Sequence, residues 1–427
     1  MDDIQKVAPY FENDAIVLGL LMLVLAGIFY LESSGKRFWT KFFTYVPALL
    51  LCYFVPALLK WPLGLVDGDV SNLYFVSSRF LLPAALILLC LGIDFKGIMR
   101  LGPKAIIMFL AGTLGIIIGG PISLLVIEYV FPSLIPGNIT LDELWRGMST
   151  IAGSWIGGGA NQTAMKEVFE VPDNIFGIMI VVDVIVANIW MGFLLYGANI
   201  RDRANRFLKA DNTAILDLEK RMDDYQASVK KIPTTTETFI LMAVAFVGVA
   251  ISHWGADVIS PFMESHKISL EAMNLQSLTS GFFWLVIIST TIGLFLSFTK
   301  ARRLEGVGAT RWGSIFIYVL VATIGMKMDL EEIFKKDNLG LFVIGFTWML
   351  VHVIILIITA KIIRAPFFFV AVGSQANVGG AASAPIVASA FNPSLASVGV
   401  LMAVLGYALG TYGALLTAIL MEMVAVG

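Results

Sequence analysis

The sequence predicts an all-α polytopic membrane protein: two inverted repeats of five transmembrane helices, each with one re-entrant or discontinuous Gly-rich segment. Three observations carry that expectation. Hydrophobic residues make up 58% of the 427 and charged residues only 14%, with a mean hydropathy of +0.85, well outside the soluble range. Ten segments are long and apolar enough to cross about 30 Å of hydrocarbon. The two halves of the chain also match one another at a constant offset.

The ten segments are 15–31, 42–61, 75–93, 104–130, 174–197, 237–256, 278–298, 311–326, 339–360 and 395–421. The first is preceded by acids and followed by Lys36 and Arg37, the reverse of a cleavable signal peptide. Two further apolar stretches, 144–170 and 366–390, are broken by glycine and polar residues. Between the halves, 198–236 carries eight basic and six acidic residues. The expected organisation is therefore 1–197 as first repeat, 198–236 as charged cytoplasmic linker and 237–427 as second repeat. Helices in 15–61 and 237–298 form a scaffold, and 75–197 and 311–421 a core.

The duplication rests on three pairs at an offset of 221 residues: GGA at 158–160 and 379–381, Pro172 and Pro393, and GFLL at 192–195 with GALL at 413–416. A separate echo places Asp94 in GIDFKGI against Asp329 in GMKMDLEEI. Internal repeats of this kind are common in secondary transporters. If both broken segments turn back, each half crosses five times and the second is inverted. With the N- and C-termini outside, 20 of the 29 basic residues then fall on the inner side, as the positive-inside rule asks. A further crossing element in the linker would restore the other parity.

Backbone that leaves a helix in the bilayer must be buried or line a watery cavity, because unpaired amides and carbonyls cost several kcal/mol in hydrocarbon. Glycine also permits close helix packing, but the polar residues around both breaks favour a site. Half-helix N-termini attract anions, while carbonyl and side-chain oxygens suit a hard cation. The candidates on one side are Ser154, Gly158, Gly159, Asn161, Gln162 and Thr163. On the other they are Ser374, Gln375, Asn377, Gly379, Gly380 and Ser383. Asp183, about ten residues into an apolar helix, is costly at that depth and is expected to take the coupling ion, a sodium ion or a proton. Asn188 lies close to the same flank. Asp183, Asn161 and Asn377 form the expected sodium ligands.

Other polar residues carry less. His352 is a lone histidine among apolar neighbours and is expected to be hydrogen-bonded to backbone. Asp94 and Asp329 read as helix-end anchors or gates, and His253 and Trp254 as interfacial residues. Cys52 and Cys90 lie in apolar runs and read as packing. Asn138 opens a glycosylation sequon in an expected outside loop. No nucleotide-binding loop and no H-E-x-x-H pair occurs, so no cofactor and no enzymatic activity are expected. Charge excludes nucleic acid as a partner.

GSWIGGGANQTA, with its glycine-rich counterpart GSQANVGGAASAP, resembles the transporter-like family catalogued as domain of unknown function 819 over nearly the whole chain. More distantly, two five-helix halves with GG-containing re-entrant loops are similar to the sodium:glutamate and 2-hydroxycarboxylate symporters. That resemblance implies a core domain moving against a scaffold, a homodimer, and sodium-coupled uptake of a small organic anion. An acid in the helix after the break is also similar to cation:proton antiporters, although Val182 stands where those carry Asp or Asn. The expectation is a secondary transporter of a small polar or anionic metabolite, such as an amino acid, short peptide or carboxylate. A monovalent cation:proton antiporter is the alternative. The expected setting is a bacterial inner membrane.

Overall fold

The computed structural model describes residues 9–46, 48–137, 139–211, 233–272, 276–328, 330, 340–392 and 395–426. Asn138, Asp329, Pro393 and linker residues 212–232 lie outside the described residues. Those described contain helices and turns and no strand.

The first half runs α1 (Asp14–Ser33), α2 (Ala48–Lys60), α3 (Leu73–Leu91), α4 (Pro103–Tyr129), α5 (Leu141–Gly157), α6 (Gly159–Val168) and α7 (Asp173–Asn199). The second runs α8 (Thr235–Glu264), α9 (Gly281–Ser297), α10 (Ala309–Gly325), α11 (Leu341–Ile363), α12 (Phe367–Val378), α13 (Gly380–Phe391) and α14 (Ala396–Val426). The order is the same in both: four helices, a glycine-broken pair, one long helix. Among the described residues, seven helices are individually long and apolar enough to cross a membrane, or nine if each of two bent pairs is counted as one span. The expected 42–61 span is one of those pairs, with a short helix Arg37–Tyr45 bending into α2. The expected 311–326 span is α10, 17 residues long.

Local chemistry sets the ends. Thr140 and Glu143 form a reciprocal capping box at the start of α5, and Thr234 and Glu237 do the same for α8. Pro103 opens α4, where a missing amide hydrogen costs nothing. At Gly158 the backbone takes φ 76° and ψ −173°, a region open in practice only to glycine, and α5 stops.

Both breaks reverse the chain. Arg146, near the start of α5, donates from Nη1 to the carbonyl of Phe169 just past α6 at 3.2 Å, and the Trp145 and Phe169 rings lie 5.5 Å apart. In the second pair the Phe368 and Phe391 rings are 5.4 Å apart, and Gln375 Nε2 donates to Ser383 Oγ across the break at 2.7 Å. Each pair therefore folds back on itself as a helical hairpin.

Corresponding helices pair across the halves. α3 packs on α10 and α4 on α11; α3 packs on α9 and α10 on α2. The hairpins pack on the last helix of the opposite half, α5 on α14 and α12 and α13 on α7. Two layers result. One holds α1–α3 and α8–α10; the other holds α4–α7 and α11–α14.

Candidate functional site

The two hairpin tips meet over one cavity of about 160 Å³. Its wall contains Ser154, Gly158, Gly159 and Gln162 from the first hairpin, and Gln375, Val378, Gly379 and Ser383 from the second. Asp183 and Asn188 reach it from α7, and Leu49, Leu50 and Tyr53 close it from α2. The offset that relates the halves carries Ser154 onto Gln375 and Gln162 onto Ser383, so matching positions from both halves face the same space.

Asp183 is buried, and its carboxylate is held on both oxygens. Trp155 Nε1 donates to Oδ1 at 2.6 Å and Gln162 Nε2 to Oδ2 at 2.9 Å, with Ser154 also beside the carboxyl. No Lys or Arg ion-pairs with it among the described residues, and the cavity wall contains no Lys, Arg or His. Even three donors do not exhaust a carboxylate, which offers about four lone-pair sites. The arrangement keeps the acid oriented and leaves acceptor capacity at the cavity.

Two more polar atoms on this wall lack partners. Tyr53 Oη and Gln375 Oε1 are buried and make no hydrogen bond among the described residues, although both residues line the cavity. A buried polar group without a partner is costly and points to a ligand or water that completes it.

Nine of the fourteen expected residues thus surround the cavity: Ser154, Gly158, Gly159, Gln162, Asp183, Asn188, Gln375, Gly379 and Ser383. Five lie elsewhere. Asn161 turns to α14, donating to Tyr407 O at 3.0 Å and to Gly157 O, and accepting from Thr411 Oγ1. Asn377 turns to α4 in the same manner, donating to Phe109 O and Gly373 O and accepting from Thr113 Oγ1 at 2.8 Å. Thr163 Oγ1 donates to the carbonyls of Gly159 and Ala160. Ser374 Oγ bonds Trp190 and His352, and Gly380 takes φ 58° at the second break. Both asparagines fasten hairpins to their neighbours, so the expected sodium ligands Asn161 and Asn377 sit away from the cavity and only Asp183 of that trio reaches it.

Outside the cavity, His352 bonds Gly112 O at 2.9 Å and Ser374 Oγ at 2.8 Å. Asp94 caps the helix Phe95–Arg100 through Gly97 N and pairs with Arg302 at 2.6 Å. His253 bonds Arg79 O, Trp254 is exposed, and both cysteines are buried. The sequence reading missed Trp155 and Tyr53. Trp155 stands inside the quoted glycine motif and could have been found there; Tyr53, in an apolar run, gives no such signal.

Comparison with known proteins adds one relative and one family. The chain is 24% identical over 346 residues to the uncharacterized membrane protein YjcL of Bacillus subtilis (strain 168), covering 80% of this chain and 82% of the relative. The family model described as protein of unknown function (DUF819) matches residues 19–424, and this membrane protein belongs to that family.

Proposed function

We propose that the protein is a secondary active transporter that couples uptake of a small polar or anionic metabolite to sodium by alternating access. The observation that carries the reading is Asp183: a buried carboxylate with no basic counter-ion among the described residues, facing a cavity between two helix breaks. An intramembrane acid without a partner charge is a functional group by default, since its isolation costs at least ~2.5 kcal/mol at helix centre. A cation bound beside it removes that penalty, and the hydroxyl and amide oxygens around it are those a hard cation takes.

The cavity sits where the two layers meet, with Tyr53 from one and both hairpins from the other. In this reading α4–α7 and α11–α14 move and α1–α3 and α8–α10 stay. That assignment places the third helix of each half with the scaffold. The order of elements and the cross-half pairing support a duplication, and the distribution of basic residues supports inverted halves with both termini outside and the linker inside. A second copy would pack on the scaffold layer in a homodimer within a bacterial inner membrane. No catalytic role is assigned to any residue.

The same lone acid supports a second reading, a monovalent cation:proton antiporter. Reconstituted protein in liposomes separates the two. Sodium-driven accumulation of an organic solute supports symport. Cation-for-proton exchange without any solute sinks it in favour of antiport.

A further inference from the structure

The lining of the cavity narrows the solute beyond this reading, on which the inference rests. With Asp183 ionised the wall carries one negative charge and, lacking Lys, Arg and His, nothing to balance it. One bound monovalent cation makes the site neutral. A dicarboxylate would then bring two uncompensated negative charges into a low-dielectric interior, whereas a solute of zero net charge would bring none.

The polar groups left over are of both kinds. On the accepting side, Gln375 is 2% exposed, its amide nitrogen donates to Ser383 Oγ, and its Oε1 has no partner among the described residues. On the donating side, α6 begins at the tip with no side-chain cap. The amides of Asn161 and Gln162 bond back to Gly158 O, while those of Gly159 and Ala160 have no partner among the described residues. A Cβ built on Gly158 would meet nothing within 4 Å, so open space adjoins this helix start. Tyr53 Oη, unpartnered and fully buried, can donate or accept. At about 160 Å³ the cavity holds the liquid share of about five waters, below the range for drug-sized ligands.

We propose that the transported solute is a small zwitterion of the neutral α-amino acid type, its carboxylate on the free amides at the start of α6 and its ammonium group on Gln375 Oε1. The coupling cation occupies the Asp183 side of the same cavity. Simple carboxylates satisfy only the amide end and simple amines only the glutamine end.

Full-length protein in nanodiscs, melted with and without sodium, tests this. The probes are the neutral L-α-amino acids one at a time, the matching acids without the amino group, the matching amines without the carboxylate, and succinate. At least one amino acid is expected to raise the melting temperature only with sodium, with its deaminated and decarboxylated analogues at least ~10-fold weaker, since a site built to bond a group rejects ligands lacking it. In Gln375→Leu the amino acid concentration for half effect is expected to rise about 10-fold or more at an unchanged sodium requirement, which also shows the variant is folded. Stronger sodium-dependent stabilisation by succinate or a simple acid would overturn the zwitterion and leave the symporter standing. Equal stabilisation by a simple amine would overturn it likewise. Stabilisation by cations alone, with no solute effect, would overturn both.

Discussion

Trp155 Nε1 donates to Asp183 Oδ1 at 2.6 Å, which ties the membrane-embedded acid of α7 to the hairpin that carries the first glycine break. Trp155 is fully buried and its ring lies 5.4 Å from that of Trp348 on α11, so the donor cannot turn away without repacking the helices behind it. The hairpin and the acid are therefore one rigid unit. Whatever occupies the cavity meets a carboxylate whose direction is already fixed.

Asp183→Asn keeps the shape and can still accept from Trp155, but it removes the charge. The variant is expected to fold, to lose sodium-dependent stabilisation, and to show uptake that no longer responds to the sodium gradient. Uptake with the wild-type sodium response would remove Asp183 from the coupling mechanism.

Two glycines near the tip act differently. Gly158 has open space beside it but a backbone only glycine adopts readily, so Gly158→Ala should cost about 1–3 kcal/mol through strain alone. Gly410 on α14 has no such space: a Cβ there would run into Gly157 Cα. Gly410→Ala should cost a similar ~1–3 kcal/mol by overpacking, and should also push the first hairpin off α14. Denaturation of both variants, with cysteine accessibility at an engineered tip position, checks this. Only Gly410→Ala is expected to increase accessibility.

The helix breaks and Asp183 were legible because they violate the apolar pattern around them. The directions of side chains next to the breaks were not. Asn161 and Gln162 are neighbours, yet a helix turns about 100° per residue, so one faces α14 and the other the cavity. Nothing local decides which; the packing of α14 against α5 does. Tyr53 is hidden for a related reason. It enters the site from the other layer, and a contact between elements so far apart in sequence leaves no periodic trace in either.

A bridge between the layers lies at the open end of the first hairpin. Arg79 of α3 pairs with Glu167 of α6 at 3.2 Å, and Lys327, just past α10, pairs with Asp173 at the start of α7 at 3.3 Å. Glu167 is almost fully buried, and its second cation, Lys166 at 3.8 Å, sits closer to Asp173 at 2.9 Å, so removing Arg79 leaves a carboxylate poorly compensated. Arg79→Gln is expected to destabilise the protein by about 1.5–3 kcal/mol, the range for a hydrogen bond to a charged group. Adding Glu167→Gln should recover most of that loss in a double-mutant cycle. If α6 moves against α3 during transport, Arg79→Gln also shifts the balance of conformations, read as a changed uptake rate in the single variant. Additive losses would mean the two side chains do not interact in solution.

The second hairpin is fastened through His352. A carbonyl can only accept, so the contact with Gly112 O places the proton on His352 Nδ1, and Nε2 must then accept from Ser374 Oγ. Ser374 in turn accepts from Trp190 Nε1 at 2.8 Å, giving a one-way chain from α7 through the hairpin to α11 and α4. Asn377 adds bonds from the same hairpin to Phe109 O and Thr113 on α4. These bonds hold four helices together next to the cavity without lining it. His352→Leu takes away the acceptor of the Ser374 hydroxyl and the second bond on Gly112 O, which keeps its partner within α4, and should cost about 1–3 kcal/mol for the hydroxyl left unpaired. His352→Gln, which can both donate and accept, should recover part of that. With the cation held at Asp183 as proposed, neither change should move the sodium concentration for half-maximal stabilisation. A shifted sodium requirement in His352→Gln, with stability near wild type, would make the histidine part of the ion site.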